Sequence, residues 1–134
     1  MAGIRERFGR PLRLGVIGGG PESWIGVMHR TAAELDGAWR AVAGVFSSDP
    51  ARSRAVGPAM GFDVARSYGD LSEMLERERQ RTDPIDGVAI MTPNDMHYGP
   101  AVAALEAGLD VVCDKPVTHD FAEACDLVAR TKRQ

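Results

Sequence analysis

The chain has 134 residues, 44% of them hydrophobic and 26% charged, with a net charge of −3. That is enough for one domain with a real core and too little for two ordinary ones. A mildly acidic balance with scattered basic residues argues against a nucleic-acid surface. No apolar run is long enough to span a membrane, and the N-terminus lacks the apolar segment of a signal peptide, so a cytoplasmic location is expected. Cys113 and Cys125 stand apart, without a CxxC pair or clustered histidines. They read as buried small hydrophobes, with no metal site and no disulfide expected.

Residues 1–11 read as a polar lead-in with a mobile end, and residues 12–134 as the domain. Leu12 to Ile17 is an apolar run that stops at Gly18, Gly19 and Gly20. An amphipathic pattern follows, with Ile25, Met28, Ala32 and Leu35 predicted on one helical face. Strand, glycine turn and helix in that order suit a pyrophosphate. Glycine lets a backbone come close to a ligand, and the helix start offers free N–H groups and a favourable dipole. The spacing departs from G-x-G-x-x-G, because the third position is Ser23 and the next glycine is Gly26. Gly26 is then expected to let the helix pack close on the sheet, and Ser23 to act as an N-cap or a phosphate donor. A merely flexible turn is the plain alternative.

Asp36-Gly37 closes that helix, and Trp39 to Phe46 reads as a second strand covered on both faces. Ser47-Ser48-Asp49-Pro50 then starts a helix running to about Met60. A short strand is expected around Val64 to Ser67. Asp70 caps the next helix, with Glu73 at the capping-box position, Leu71, Met74 and Leu75 buried, and the run Glu76 to Arg81 on a solvated face. Asp86 to Met91 is a further strand ending in the turn Thr92-Pro93-Asn94. A helix over Met96 to Ala107 follows. Leu109 to Cys113 is the next strand, with Asp114-Lys115-Pro116 at its end. Thr118 is expected to cap a last helix carrying Phe121, Cys125 and Val128 on one face.

Strand–helix alternation repeated about five times predicts an α/β Rossmann-type fold, a doubly wound parallel sheet with helices on both faces. Its sixth strand is missing from the pattern. The turns Gly18–Ser23, Thr92–His97 and Asp114–Pro116 all fall at strand carboxyl ends, where such sheets bind ligands.

Four segments, LGVIGGG at 14–20, IGVMHR at 25–30, TPNDMHYGPAVAALEAG at 92–108 and VVCDKPVT at 111–118, give the chain its resemblance. It resembles the amino-terminal domain of the glucose–fructose oxidoreductase, inositol dehydrogenase and MocA family, NAD(P)-dependent dehydrogenases of sugars and cyclitols. The resemblance implies that Gly18, Gly19 and Gly20, with Ser23, Trp24 and Ile25 in the turn that follows, hold the pyrophosphate. It implies that Thr92, Pro93 and Asn94 line the nicotinamide side with His97 behind them. It places Lys115 beside the nicotinamide and the substrate hydroxyl as the catalytic residue, flanked by Asp114 and Pro116. Asp114 stands where the family more often has glutamate. Each residue has a plainer reading: Lys115 as a surface lysine, His97 as a hydrogen-bonded residue at a helix start, His29 and Arg30 as packing for the loop.

The second strand carries no acid about 20 residues past Gly26, where NAD enzymes bind the ribose hydroxyls. Ser47, Ser48 and Arg52 or Arg54 there could meet a 2′-phosphate, which tilts the expectation to NADP over NAD, with Asp49 as the counter-argument. The family's substrate-binding domain has no counterpart here. The chain is therefore expected to bind cofactor without turning over a sugar-like or cyclitol substrate, and to self-associate through an open sheet edge. Two other readings stay open on the same fold: a non-catalytic nucleotide-sensing or interaction module and, more distantly, an S-adenosylmethionine-dependent methyltransferase.

Overall fold

The computed structural model describes residues 4–133. Four parallel strands, β1 (Leu12–Gly18), β2 (Trp39–Val45), β3 (Gly87–Met91) and β4 (Asp110–Cys113), lie in the order β2-β1-β3-β4. Helices α2 (Trp24–Glu34), α3 (Pro50–Ala59), α4 (Leu71–Arg79), α5 (Tyr98–Glu106) and α6 (Phe121–Thr131) connect and follow them, and a short α1 (Ile4–Phe8) precedes β1. The predicted α/β Rossmann architecture is present. No helix among the described residues is long and apolar enough to cross a membrane.

Each strand starts and stops within a residue or so of its apolar run, because central parallel strands are buried on both faces. Val16, Val88 and Ile90 are fully buried, each worth roughly 1.5–3 kcal/mol of apolar transfer. One cluster joins Ile17, Val88 and Ile90 to Met74, Ala104 and Leu127. The other joins Leu14, Val16, Phe46, Phe62 and Met91, with Ile25 and Ala33 of α2 against it.

Five expectations are corrected. The first concerns the short strand at 64–67, which is a 3-10 turn, Val64–Arg66, touching the sheet only through a bridge between Gly44 and Ser67. Asp63 caps that turn by accepting the Ala65 N–H at 2.8 Å, so four strands form rather than five. Second, α2 presents Ile25, Gly26 and Ala33 to the sheet, while Met28 and Leu35 are 47% and 83% exposed. The smallest side chain must face the closest backbone, and that fixes the helix rotation. Third, Glu78, inside the supposed solvated run, is 1% exposed. Its carboxylate accepts from Arg66 Nε at 3.0 Å, from the Tyr68 hydroxyl at 2.8 Å and from the Ile85 N–H at 3.2 Å. Burial, with the Glu78 contact, pushes the Tyr68 phenol above its ordinary range. Fourth, Asp120 rather than Thr118 caps α6, accepting the Ala122 and Glu123 N–H groups. The Thr118 hydroxyl instead donates to the Asp120 carbonyl at 2.6 Å. Fifth, Cys125, expected to be buried, is exposed and free, on the same face of α6 as Phe121 and Val128, which are 85% and 54% exposed. Nothing among the described residues lies against that face of α6.

The lead-in is helical over Ile4–Phe8 rather than featureless, and residues 1–3 lie outside the described residues. Arg10 clamps the base of the sheet, its guanidinium donating to both Asp86 carboxylate oxygens at 2.7 and 2.8 Å, while the Arg13 N–H donates to the same carboxylate at 2.7 Å. Arg10 above all, with help from Arg13, holds the Asp86 pKa below its ordinary value. A depressed carboxylate stabilises the fold fully above its unfolded pKa of about 4 and loses that contribution as pH falls through the lower folded value. The Asp86→Asn variant should therefore lose stability at neutral pH and show a shallower acid limb below about pH 4. Parallel limbs in urea titrations of the two proteins would contradict this.

Candidate functional site

The carboxyl ends of three neighbouring strands meet at one edge. Gly18, the last residue of β1, pairs with Met91, the last of β3, and Ile90 pairs with Cys113, the last of β4. The Asp114 N–H continues the ladder, donating to the Ile90 carbonyl at 3.0 Å. The turns after Gly18, Met91 and Cys113 therefore lie side by side. They also sit where the chain leaves β1 for β2 on one side and β3 on the other, the switch point at which open α/β sheets bind ligands.

Backbone packing explains the glycines. Gly18 has φ +81°, and a Cβ there would stand 2.9 Å from the Met91 carbonyl carbon and oxygen. Any side chain would add about 1–2 kcal/mol of left-handed strain to that collision. A Cβ on Gly26 would stand 2.6 Å from both the Cα and the carbonyl oxygen of Gly19, so α2 rests backbone to backbone on the loop. The displaced glycine of the motif does permit a close approach, and the surface it meets is the glycine loop rather than the sheet expected for it. Gly20 lies against the Phe46 carbonyl at the end of β2.

Ser23 is the N-cap of α2, its Oγ accepting the Gly26 N–H at 3.0 Å. The Ser23 N–H itself donates to the Gly20 carbonyl at 2.9 Å. Of the N–H groups that a helix start leaves without intrahelical partners, those of Trp24 and Ile25 have no acceptor within the described chain. Trp24 is 73% exposed and Ile25 half-buried. Arg30 reaches back from α2 and donates to the Gly19 carbonyl at 2.6 Å, and burial holds its pKa below the usual arginine value. A glycine loop pinned from behind, with two free N–H groups and a helix dipole in front, fits an anionic pyrophosphate.

At the end of β2 the Ser47 hydroxyl accepts the Asp49 N–H at 3.1 Å, and Asp49 caps α3 by accepting the Arg52 N–H at 2.7 Å. Ser48 and Arg52 are exposed. Arg54 is engaged elsewhere, with Glu73 at 2.7 Å.

At the end of β3 the Thr92 hydroxyl donates to the Met96 carbonyl at 3.2 Å, and Pro93 and Asn94 are exposed. His97 is 1% exposed. Its Nε2 lies 2.8 Å from the Thr92 carbonyl oxygen and its Nδ1 2.8 Å from the Pro116 carbonyl oxygen. At the end of β4 the Lys115 N–H and the His29 ring hold the Asp114 carboxylate below its ordinary pKa, with His29 Nε2 at 3.6 Å from Oδ1. Burial pushes the neighbouring Cys113 thiol up. Lys115 is exposed, precedes a cis peptide bond to Pro116, and has no side-chain partner among the described residues. Sequence reasoning assigned His29 and Arg30 only to packing. Arg30 does pack the loop, four residues past Gly26 on the same helix, while His29 turns instead to Asp114 after β4.

A family model described as an oxidoreductase family with an NAD-binding Rossmann fold matches residues 12–134. The chain belongs to the glucose–fructose oxidoreductase, inositol dehydrogenase and MocA family. An inositol dehydrogenase homologue from Azotobacter vinelandii, solved with NADH and myo-inositol, is 40% identical with a TM-score of 0.90 over 98% of this chain and 35% of that one. An oxidoreductase from Pseudomonas syringae is 44% identical with a TM-score of 0.88, over 92% of this chain and 34% of that one. Among curated relatives, an inositol 2-dehydrogenase from Leifsonia xyli is 35% identical over 84% of this chain and 30% of its own length. This family member thus spans about a third of the length of the relatives it matches, and what it carries is the family's NAD-binding Rossmann domain.

Proposed function

We propose that this chain is the nucleotide-binding part of an NAD-dependent dehydrogenase acting on a secondary hydroxyl of a cyclitol or sugar. The observation that carries the reading is the register: Gly18 beside Met91 and Ile90 beside Cys113 bring the glycine loop, Thr92-Pro93-Asn94 and Asp114-Lys115-Pro116 to one edge. The names of the relatives supply the substrate class.

In this reading Gly18, Gly19 and Gly20, the Ser23 hydroxyl and the N–H groups of Trp24 and Ile25 hold the pyrophosphate. Thr92, Pro93 and Asn94 flank the nicotinamide, whose ring supplies or takes up the hydride. Lys115 Nζ donates to the substrate oxygen and stabilises negative charge developing there. Asp114 and Pro116 flank it, and His97 supports the edge from behind. Residues 4–133 supply the cofactor side of the reaction, and hydride transfer needs the substrate held in near-attack geometry as well.

NAD is the favoured nucleotide. The exposed Asp49 carboxylate follows β2, where it disfavours a 2′-phosphate, Arg54 is committed to Glu73, and solved relatives carry NAD+ or NADH. Ser48 and Arg52, exposed beside it, are what a 2′-phosphate would use. Fluorescence titration should show NADH saturating this chain more tightly than NADPH. Equal or tighter NADPH binding would overturn the preference, and no saturation by either would remove the cofactor reading.

Self-association goes with the same reading. β4 is an edge strand whose Val112 is 47% exposed, and Phe121 and Val128 of α6 are 85% and 54% exposed, and such edges and apolar faces invite pairing. Sedimentation of this chain should show dimers rising with concentration, and a single monomer species throughout would contradict it. The cytoplasm is the compartment proposed.

A further inference from the structure

Lys115 is exposed and its side chain makes no hydrogen bond or ion pair among the described residues, yet the two residues flanking it are held from several sides. The Asp114 N–H is fixed to β3 through the Ile90 carbonyl. The Asp114 carboxylate faces His29 of α2, the helix that follows the glycine loop. The Pro116 carbonyl faces His97, which precedes α5 and lies on its other side against the Thr92 carbonyl. A neutral imidazole donates to one of those carbonyls and an imidazolium to both. Either way the ring fills the space between the turn after β3 and the turn after β4.

The two histidines have unlike surroundings. His97 is buried in the fold at 1% exposure. His29 and Asp114 each keep 23% of the side chain exposed, so that contact is a polar latch at the rim. Each histidine comes from the helical segment that follows one of the other two turns of the edge. The tripeptide carrying Lys115 is therefore tied to the glycine-loop helix at Asp114 and to the Thr92 turn at Pro116. Surface lysines carry a large store of side-chain rotamer freedom. A fixed backbone beneath Lys115 leaves that side chain less space to search.

We propose that His29 and His97 are positioning residues that clamp Asp114-Lys115-Pro116 from opposite sides and so aim Lys115. The role of Lys115 rests on the proposed function, but the clamp itself is a property of the unliganded chain and is testable without nucleotide.

The test is the 15N relaxation order parameter of the Lys115 amide in this chain, free of nucleotide. In the parent it should lie near 0.85, the value of rigid backbone, and in His29→Ala and His97→Asn it should fall toward 0.6 or below. The amides of Val88 and Ile90 should stay rigid in every variant, which separates a local loss of the clamp from general loosening. His29→Gln keeps a donor for the Asp114 carboxylate and should restore order at Lys115, a rescue that mere space-filling would not give. An unchanged Lys115 order parameter in His29→Ala overturns the clamp, as does failure of His29→Gln to restore a lost one. If His97→Asn does not fold, the two His29 variants decide alone. Because no nucleotide is present, a failure to bind NADH leaves this result standing, and loss of the clamp leaves the NADH titration standing.

Discussion

Glu78→Ala should be the most damaging single substitution for stability, costing about 3–5 kcal/mol, the scale for removing one partner of a buried ion pair. Arg66 and Glu78 are 5% and 1% exposed. Truncating Glu78 strands the Tyr68 hydroxyl and the Ile85 N–H and takes from the buried Arg66 guanidinium its main partner, leaving it Asp83, whose carboxylate lies at 3.1 Å and carbonyl at 3.2 Å. Against a total stability of about 5–15 kcal/mol that leaves a marginal fold. The paired replacement Arg66→Met with Glu78→Leu should cost less than Glu78→Ala, since it removes both charges at once. Urea unfolding of the three proteins checks this, and a Glu78→Ala midpoint within experimental error of the parent would contradict it.

Gly26→Ala should have the largest effect on nucleotide binding of any change that touches no ligand. Its methyl would stand 2.6 Å from the Gly19 backbone, and two backbones cannot give way as a flexible side chain can. α2 must move off the loop, at about 1–3 kcal/mol of overpacking strain. That movement carries away the Ser23 cap, the Arg30 contact with the Gly19 carbonyl and the free N–H groups of Trp24 and Ile25. A displacement of about 1 Å can cost a hundredfold where positioning matters, so NADH affinity should fall by at least tenfold while the chain stays folded. Parent-like affinity in a folded Gly26→Ala protein would contradict the packing argument.

The sheet was legible because buried parallel strands write themselves as nearly continuous apolar runs, here interrupted only by single charges such as Arg13, Arg40 and Asp110. Leu12 to Ile17, Trp39 to Phe46, Asp86 to Met91 and Leu109 to Cys113 differ from the observed strands only at their ends. The edge was legible too, since glycines, prolines and polar residues interrupt those runs at their carboxyl ends. Glu78 was hidden because a charge run looks solvated, and its partner Arg66 lies across a turn that read as strand. The signal was present: Glu78 continues the stripe of Leu71, Met74 and Leu75 by one helical turn, on the buried face of α4. The α2 stripe failed for the converse reason. Hydrophobic periodicity favoured Met28 and Leu35, while steric need at Gly26 decided which way the helix turned. The exposed face of α6 reads as apolar in sequence and stays uncovered among the described residues, because periodicity reports that a face is apolar without reporting what covers it. The ties of His29 and His97 to the last turn join residues far apart in sequence, where spacing carries no information.

The most direct test of the account is an amide NMR titration of this chain with NADH. The account predicts saturable shifts concentrated at Gly18–Ile25, Thr92–Asn94 and Asp114–Val117, the carboxyl edge of β1, β3 and β4. A cavity of about 610 Å³ lies near the other end of the strands, lined by Arg10, Arg13, Arg40 and Arg66. Shifts concentrated there, or no saturable shifts anywhere, would contradict the assignment of the edge as the nucleotide site.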